Sequence, residues 1–126
     1  MSEPREPKKL INPENWESFL QAFTMRNNNR RARFDVFRKD GEVEEEGQEA
    51  HLEDVSLKSN GNAKDVEVVR IDRTNINAEK TKDTITNVRG IAVQYDTDGS
   101  EDALEITDNQ NSLISLRFES KVDGVS

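Results

Sequence analysis

The sequence predicts an α+β domain in which one N-terminal helix packs on a curled antiparallel sheet of about six strands, a half-barrel or a sandwich. Three observations lead there. A single 3.6-residue apolar stripe, Trp16, Phe19, Leu20 and Phe23, lies near the start. After Asn29 the apolar period changes to two. From there on, turn signals recur at hairpin spacing: Asp40-Gly41, Asn60-Gly61, Asp98-Gly99 and Asp108-Asn-Gln-Asn111.

Residues 1–9 carry two of the three prolines and no apolar residue after Met1, and read as a mobile tail. A domain over residues 10–120 and a frayed end at 121–126 complete the organisation. Asn12 is placed to cap a helix over 13–25, with Pro13 at its first position and Glu14 and Glu17 near its positive end. Asn27-Asn28-Asn29 ends it, because Asn tolerates the left-handed conformation. Ala32, Phe34 and Val36 alternate with Arg31, Arg33 and Asp35 in a half-buried strand. A second strand over roughly 42–52 starts in a run too acidic to bury. Val55 and Leu57 anchor a short irregular link. Val66 to Ile71 makes a third strand, and the polar stretch 73–84 reads as a loop. Val88 to Tyr95, Leu104 with Ile106, and Ile114 with Leu116 and Phe118 supply the remaining strands.

The chain has 126 residues, of which 35% are charged and 32% hydrophobic. Leu, Ile, Val and Phe number 29, so the core is small and nearly all of them are committed to it. With no cysteine and one histidine, thiolate chemistry and His-rich metal centres are excluded. There is no Gly-x-Gly-x-x-Gly, no phosphate loop and no nucleophile elbow. His51 has Glu49, Glu53 and Asp54 as sequence neighbours, but no Ser or Cys in a nucleophile's setting accompanies it. Asp96, Asp98, Gly99 and Glu105 follow calcium-loop spacing only in part: Gln94 stands first, Glu101 replaces the apolar position and the flanks alternate as strands. No cofactor, metal or catalytic residue is expected. No apolar run reaches the ~18 residues of a membrane helix, and the N-terminal residues lack a signal-type apolar core, so the expectation is a cytoplasmic protein, monomeric by default.

The net charge of -8 is unevenly spread, at +3 over residues 1–40 and -11 over 41–126. Arg26, Arg30, Arg31 and Arg33 form the basic cluster, a candidate contact for an anion or a partner. Glu42, Glu44, Glu45, Glu46 and Glu49 form the acidic one. The Asp40-Gly41 turn predicts that Arg31 and Arg33 face those glutamates. Trp16, Phe19, Phe23, Tyr95 and Phe118 would line a pocket between helix and sheet if the domain held a small ligand. The first functional expectation is a non-catalytic accessory or protein-interaction domain, with small-ligand binding as the alternative. RNA binding through the arginines ranks last, because the rest of the chain repels a polyanion.

The order of features resembles a small bacterial family known only as a domain of unknown function. The resemblance is carried over residues 11–118 by Trp16-Glu-Ser-Phe19, Arg31 to Phe37, Leu52 to Leu57, Thr84-Ile-Thr-Asn-Val88, Ala103-Leu-Glu-Ile106 and Leu116-Arg-Phe118. This chain departs from it in the acidic segment 42–49 and at Asp83, where a histidine is expected. The resemblance implies a fold neighbourhood and no activity.

Overall fold

A computed structural model describes residues 8–41, 43–45, 50–72, 77, 79–97 and 99–119. A 3-10 turn over Pro13–Asn15 leads into the helix α1, Trp16–Asn27. The strands are β1 (Lys8–Leu10), β2 (Arg31–Phe37), β3 (Val43–Glu45), β4 (Ala50–Asn60), β5 (Ala63–Ile71), β6 (Lys80–Ile85), β7 (Val88–Tyr95), β8 (Glu101–Asp108) and β9 (Leu113–Phe118). They form one antiparallel sheet in the order β1-β7-β8-β9-β2-β4-β5-β6, with β3 pairing on β2.

That order forces the sheet to curl. β6 and β7 lie six strand spacings apart along it, about 29 Å if the sheet were flat. Only Thr86 and Asn87 join them, and three Cα steps of ~3.8 Å reach no more than about 11 Å. The sheet therefore bends round until its β6 side approaches β7, while no ladder among the described residues closes it. Asn87 takes a left-handed φ of 53°, and its amide donates to the buried Asp65 carboxylate at 3.1 Å, which pins the link to β5. The predicted α+β class, a helix on a curled antiparallel sheet, is what the chain adopts, with more strands than the alternation alone marks out.

The additional strands have identifiable reasons. Between Leu52 and Asp54 the β4–β5 register shifts by one residue. This bulge breaks the two-residue period, so that Leu52 and Val55 both face inward and the stretch reads as irregular. The β7–β8 register shifts similarly between Val88 and Gly90. β6 is an edge strand with Ile85 as its one buried residue, so backbone pairing with β5 defines it where periodicity does not. β1 has only exposed side chains and pairs with β7 through Lys8↔Gln94 and Leu10↔Ala92, so the sheet begins inside the predicted tail. Residues 1–7 and 121–126, also assigned to tails, lie outside the described residues.

The inward residues and α1 make one core. Leu20 and Phe23 are fully buried, as are Leu52, Val66, Val68, Val93, Leu104 and Ile106. Trp16 is buried, and its Nε1 donates to the Ile11 carbonyl at 3.0 Å. Asn12 makes no side-chain cap, contrary to expectation; the Asn15 amide donates to its carbonyl as the 3-10 turn tightens the entry. The exit agrees with the reading of the sequence: Asn29 has φ 77°.

The helix also completes the sheet where the bulge interrupts it. The Thr24 hydroxyl donates to the Val55 carbonyl at 3.1 Å and accepts the Val55 amide at 3.0 Å. The Asn29 amide donates to the Leu52 carbonyl at 2.7 Å, and the Leu52 amide to the Arg30 carbonyl at 2.9 Å. Backbone groups that β2 does not pair are thus satisfied by α1 and its exit.

Thr24→Val is expected to destabilise the fold by about 1–3 kcal/mol in denaturant titration, because it leaves the Val55 amide and carbonyl without their partner. The same variant should speed exchange of the Val55 amide; unchanged exchange and midpoint would mean that α1 does not dock at the bulge. Trp16→Ala should cost roughly 3–5 kcal/mol, and native Trp16 emission should be that of a buried indole.

Candidate functional site

Sequence reasoning offered two residue sets, an arginine cluster and an aromatic set. Part of each meets at the C-terminal end of α1. After Tyr95, the turn Asp96–Gly99 closes through the Gly99 amide to the Asp96 carbonyl at 2.9 Å, with Gly99 at φ 89°. A register shift between Gln94 and Tyr95 sets Glu101 opposite Tyr95, and the glutamate side chain is buried against the helix.

Arg26 grips that carboxylate in a bidentate pair, Nε to Oε1 at 3.0 Å and Nη2 to Oε2 at 2.7 Å. The buried Asn27 adds Nδ2 to Oε1 at 2.8 Å while also donating to the Phe23 carbonyl at 3.0 Å. Arg30 donates through Nη1 to Asn27 Oδ1 at 2.9 Å and to the Glu101 carbonyl at 2.8 Å. Both guanidinium groups lie on rings: Arg26 is 5.7 Å from the Phe19 centroid and Arg30 is 4.3 Å from that of Phe118. The pairing is a clamp between α1 and the β7–β8 hairpin.

Burial alone would push the Glu101 carboxyl up. The hydrogen bonds from Arg26 and Asn27, with the charges of Arg26 and Arg30, outweigh it and hold the carboxyl below its usual range. The hydrogen bonds to Glu101 raise Arg26 in turn, against a smaller opposing effect of burial. Both groups are held in their charged forms.

Beside the clamp is an open cleft of about 500 Å³. Lys9, Phe19, Arg26, Arg30, Tyr95, Ser100 and Glu101 line it, with Asn27 and Gly99. Phe19 and Tyr95 are partly buried and pack on the core from its margin. Trp16, Phe23 and Phe118, the other three of the aromatic set, are buried core residues, with Phe23 touching both Phe19 and Phe118 at ring separations of 5.7 Å.

The remaining arginines lie elsewhere. Arg31 pairs with Glu119 at 3.8 Å and Arg33 with Asp35 at 3.7 Å. The register sets His51 opposite Arg31 and Arg117 opposite Arg33, whereas Glu45 and Glu44 stand opposite Asp35 and Val36. Among the described residues, Glu44 and Glu45 therefore do not stand opposite Arg31 or Arg33 as expected, because β2 divides one edge between β3 and β4. Glu42, Glu46 and Glu49 lie outside the described residues. His51 sits on β4 away from the cleft lining, and Glu53 beside it pairs with Lys80 at 3.1 Å.

A second opening, of about 230 Å³, has Phe34, Val36, Ile85 and Ile114 as its apolar lining and Asp83 beside them. Asp83 accepts from the buried Arg70 at 3.4 Å, and Arg70 lies 5.2 Å from the Phe34 centroid. No group of three or more His, Cys, Asp or Glu among the described residues could hold a metal ion. No family model, curated protein or solved structure matches the chain. No helix among the described residues is long and apolar enough to cross a membrane.

Lys9, Asn27 and Glu101, like Gly99 and Ser100, were not read as functional from the sequence. Lys9 falls in the predicted tail, Asn27 serves there only as a helix stop, and Glu101 is one acid among many in an acidic turn. Arg26 and Asn27 close the last turn of α1, and Arg30 follows the non-helical Asn28 and the left-handed Asn29, so the clamp is set by the helix exit and not by a helical spacing the sequence displays.

Because the folded Glu101 carboxyl lies below its unfolded value of ~4.3, the stability it contributes is fully present above that value and is lost as pH falls through the folded one. Glu101→Gln should lower stability at neutral pH by about 1–3 kcal/mol and flatten the acid side of the stability profile. Chemical denaturation from pH ~7 down to ~2 reads both effects, and a variant with the parent's midpoint and acid slope would show that the clamp does not hold the hairpin.

Proposed function

We propose that this chain is a non-catalytic, cytosolic protein-interaction domain that receives a partner segment in the cleft between α1 and the β7–β8 hairpin. The observation that carries the proposal is the cleft itself. Two partly exposed rings, Phe19 and Tyr95, stand beside side chains already fixed by the Glu101 clamp. Binding there immobilises little that is not already held, which favours recognition.

The charge states support a binding role over proton transfer. A general acid or base works best near the operating pH, and both Glu101 and Arg26 are moved away from it. The bacterial family of unknown function that the sequence resembles contributes a fold neighbourhood to this reading and no activity. One observation favours the alternative of a small ligand: about 500 Å³ falls within the ~300–1,000 Å³ of small-molecule sites. If that reading holds, the ligand sits at the margin of the helix, on Phe19 and Tyr95, since Trp16, Phe23 and Phe118 are enclosed.

A displayed random-peptide library panned against the purified domain should enrich binders. Those binders should shift amide resonances of α1 and of residues 95–101. An unproductive library, or shifts confined to other surfaces, would reject the cleft as an interaction site. Native mass spectrometry separates the two readings, because a co-purifying small molecule displaced by no peptide favours the ligand.

A further inference from the structure

We propose that the segment held in this cleft is acidic, a short run of Asp and Glu carrying one apolar or aromatic side chain, presented by a protein partner. The inference rests on the reading of the cleft as the interaction site and adds the chemistry of its occupant.

Charge is the first argument. Among the described residues, the cleft sets Lys9, Arg26 and Arg30 against one carboxylate, in a chain whose net charge is -8. That carboxylate, Glu101, is already engaged by two hydrogen bonds from Arg26. The lining therefore has an excess of positive charge on an otherwise acidic protein, and a concave lining concentrates its field. Lys9 adds an exposed ammonium at the rim, held by the β1–β7 ladder.

Preorganisation is the second argument. Arg26 is fixed between Glu101 and the Phe19 ring, and Arg30 between the Glu101 carbonyl and the Phe118 ring. A guanidinium already held in place loses little freedom when it meets a carboxylate. Phe19 and Tyr95, in the same lining, give an apolar side chain of the partner a surface to cover.

The excess charge is local, and that selects a short acidic peptide over a nucleic acid. Residues 41–126 carry -11, so a long polyanion extending from the cleft would run over repulsive surface. A nucleic acid gains affinity by neutralising many phosphates along its length, whereas a few carboxylates act only where the cations stand.

The test leaves the clamp intact. Lys9→Glu alters an exposed side chain at the rim, and Lys39→Glu makes the same charge change in the β2–β3 turn, outside this cleft. Binding of a labelled synthetic peptide of Asp and Glu with one Phe is followed by fluorescence anisotropy. Its Asn/Gln counterpart and a single-stranded RNA oligonucleotide serve as comparisons. The acidic peptide should bind best and shift residues 16–27 and 95–101. Its affinity should fall about tenfold in Lys9→Glu and little in Lys39→Glu. It should also weaken as ionic strength rises from about 0.01 M to about 0.15 M, where the screening length shortens from ~30 Å to ~8 Å.

Equal binding of the Asn/Gln peptide, indifference to salt, or equal effects of the two lysine variants would overturn the acidic assignment. The library result would still stand in that case, so the two failures are distinguishable. Preferential binding of the RNA at the cleft would overturn the choice of partner.

Discussion

The whole architecture depends on the shortness of the Thr86–Asn87 link. Two strands that sit at distant places in the sheet order are consecutive in the chain, and two residues cannot bridge a flat sheet. Curvature is therefore a condition of connectivity. Once the sheet bends, its inner face becomes a trough that a small apolar complement must fill. α1 supplies the missing volume with Trp16, Leu20 and Phe23. Asp65 secures the link from the neighbouring strand by accepting the Asn87 amide.

The helix serves polar roles as well as apolar ones. A bulge in β4 frees backbone groups that a neighbouring strand would otherwise take, and Thr24, Asn29 and Arg30 receive them. At the same end, Arg26 and Asn27 reach the opposite side of the sheet through Glu101. The last turn of α1 thus joins β4 on one flank to the β7–β8 hairpin on the other. The cleft lies against this junction, so its lining is held by the elements that hold the fold. The basic cluster seen in the sequence is mostly an internal device: its members pair with Glu101, Glu119 and Asp35.

Legibility in the sequence followed how local each cause is. Ala32, Phe34 and Val36 alternate cleanly because β2 is regular, and the strand was readable. The start of β4 falls in the strand expected over roughly 42–52, but its continuation past Leu52 was hidden by one extra residue, which turns a regular alternation into Leu52 followed by Val55. β6 was hidden because its pairing is in the backbone and its side chains are mostly exposed. The same distinction divides the site. Phe19, Tyr95, Arg26 and Arg30 were visible as residue types, but as members of two unrelated sets. Their meeting, and the recruitment of Lys9, Asn27 and Glu101, depends on a register shift and on an N-terminal strand that no short window records.

The ladder between β2 and β9 has a consequence for the order of assembly. Along one edge residues 32–37 pair with the stretch 113–118, while β4 and β3 share the other edge of β2. An emerging polypeptide can form α1 and the β4–β5 and β7–β8 hairpins early, since those contacts are near in sequence. Without β9 the sheet is in two halves, with one edge of β2 unpaired. Pairing at such separation is slow to search for, and it exposes an unpaired edge meanwhile. Residues 113–118 are therefore the seam of the sheet: they alone carry the ladder from β8 to β2, and loss of that strand would leave two separate sets of strands among the described residues.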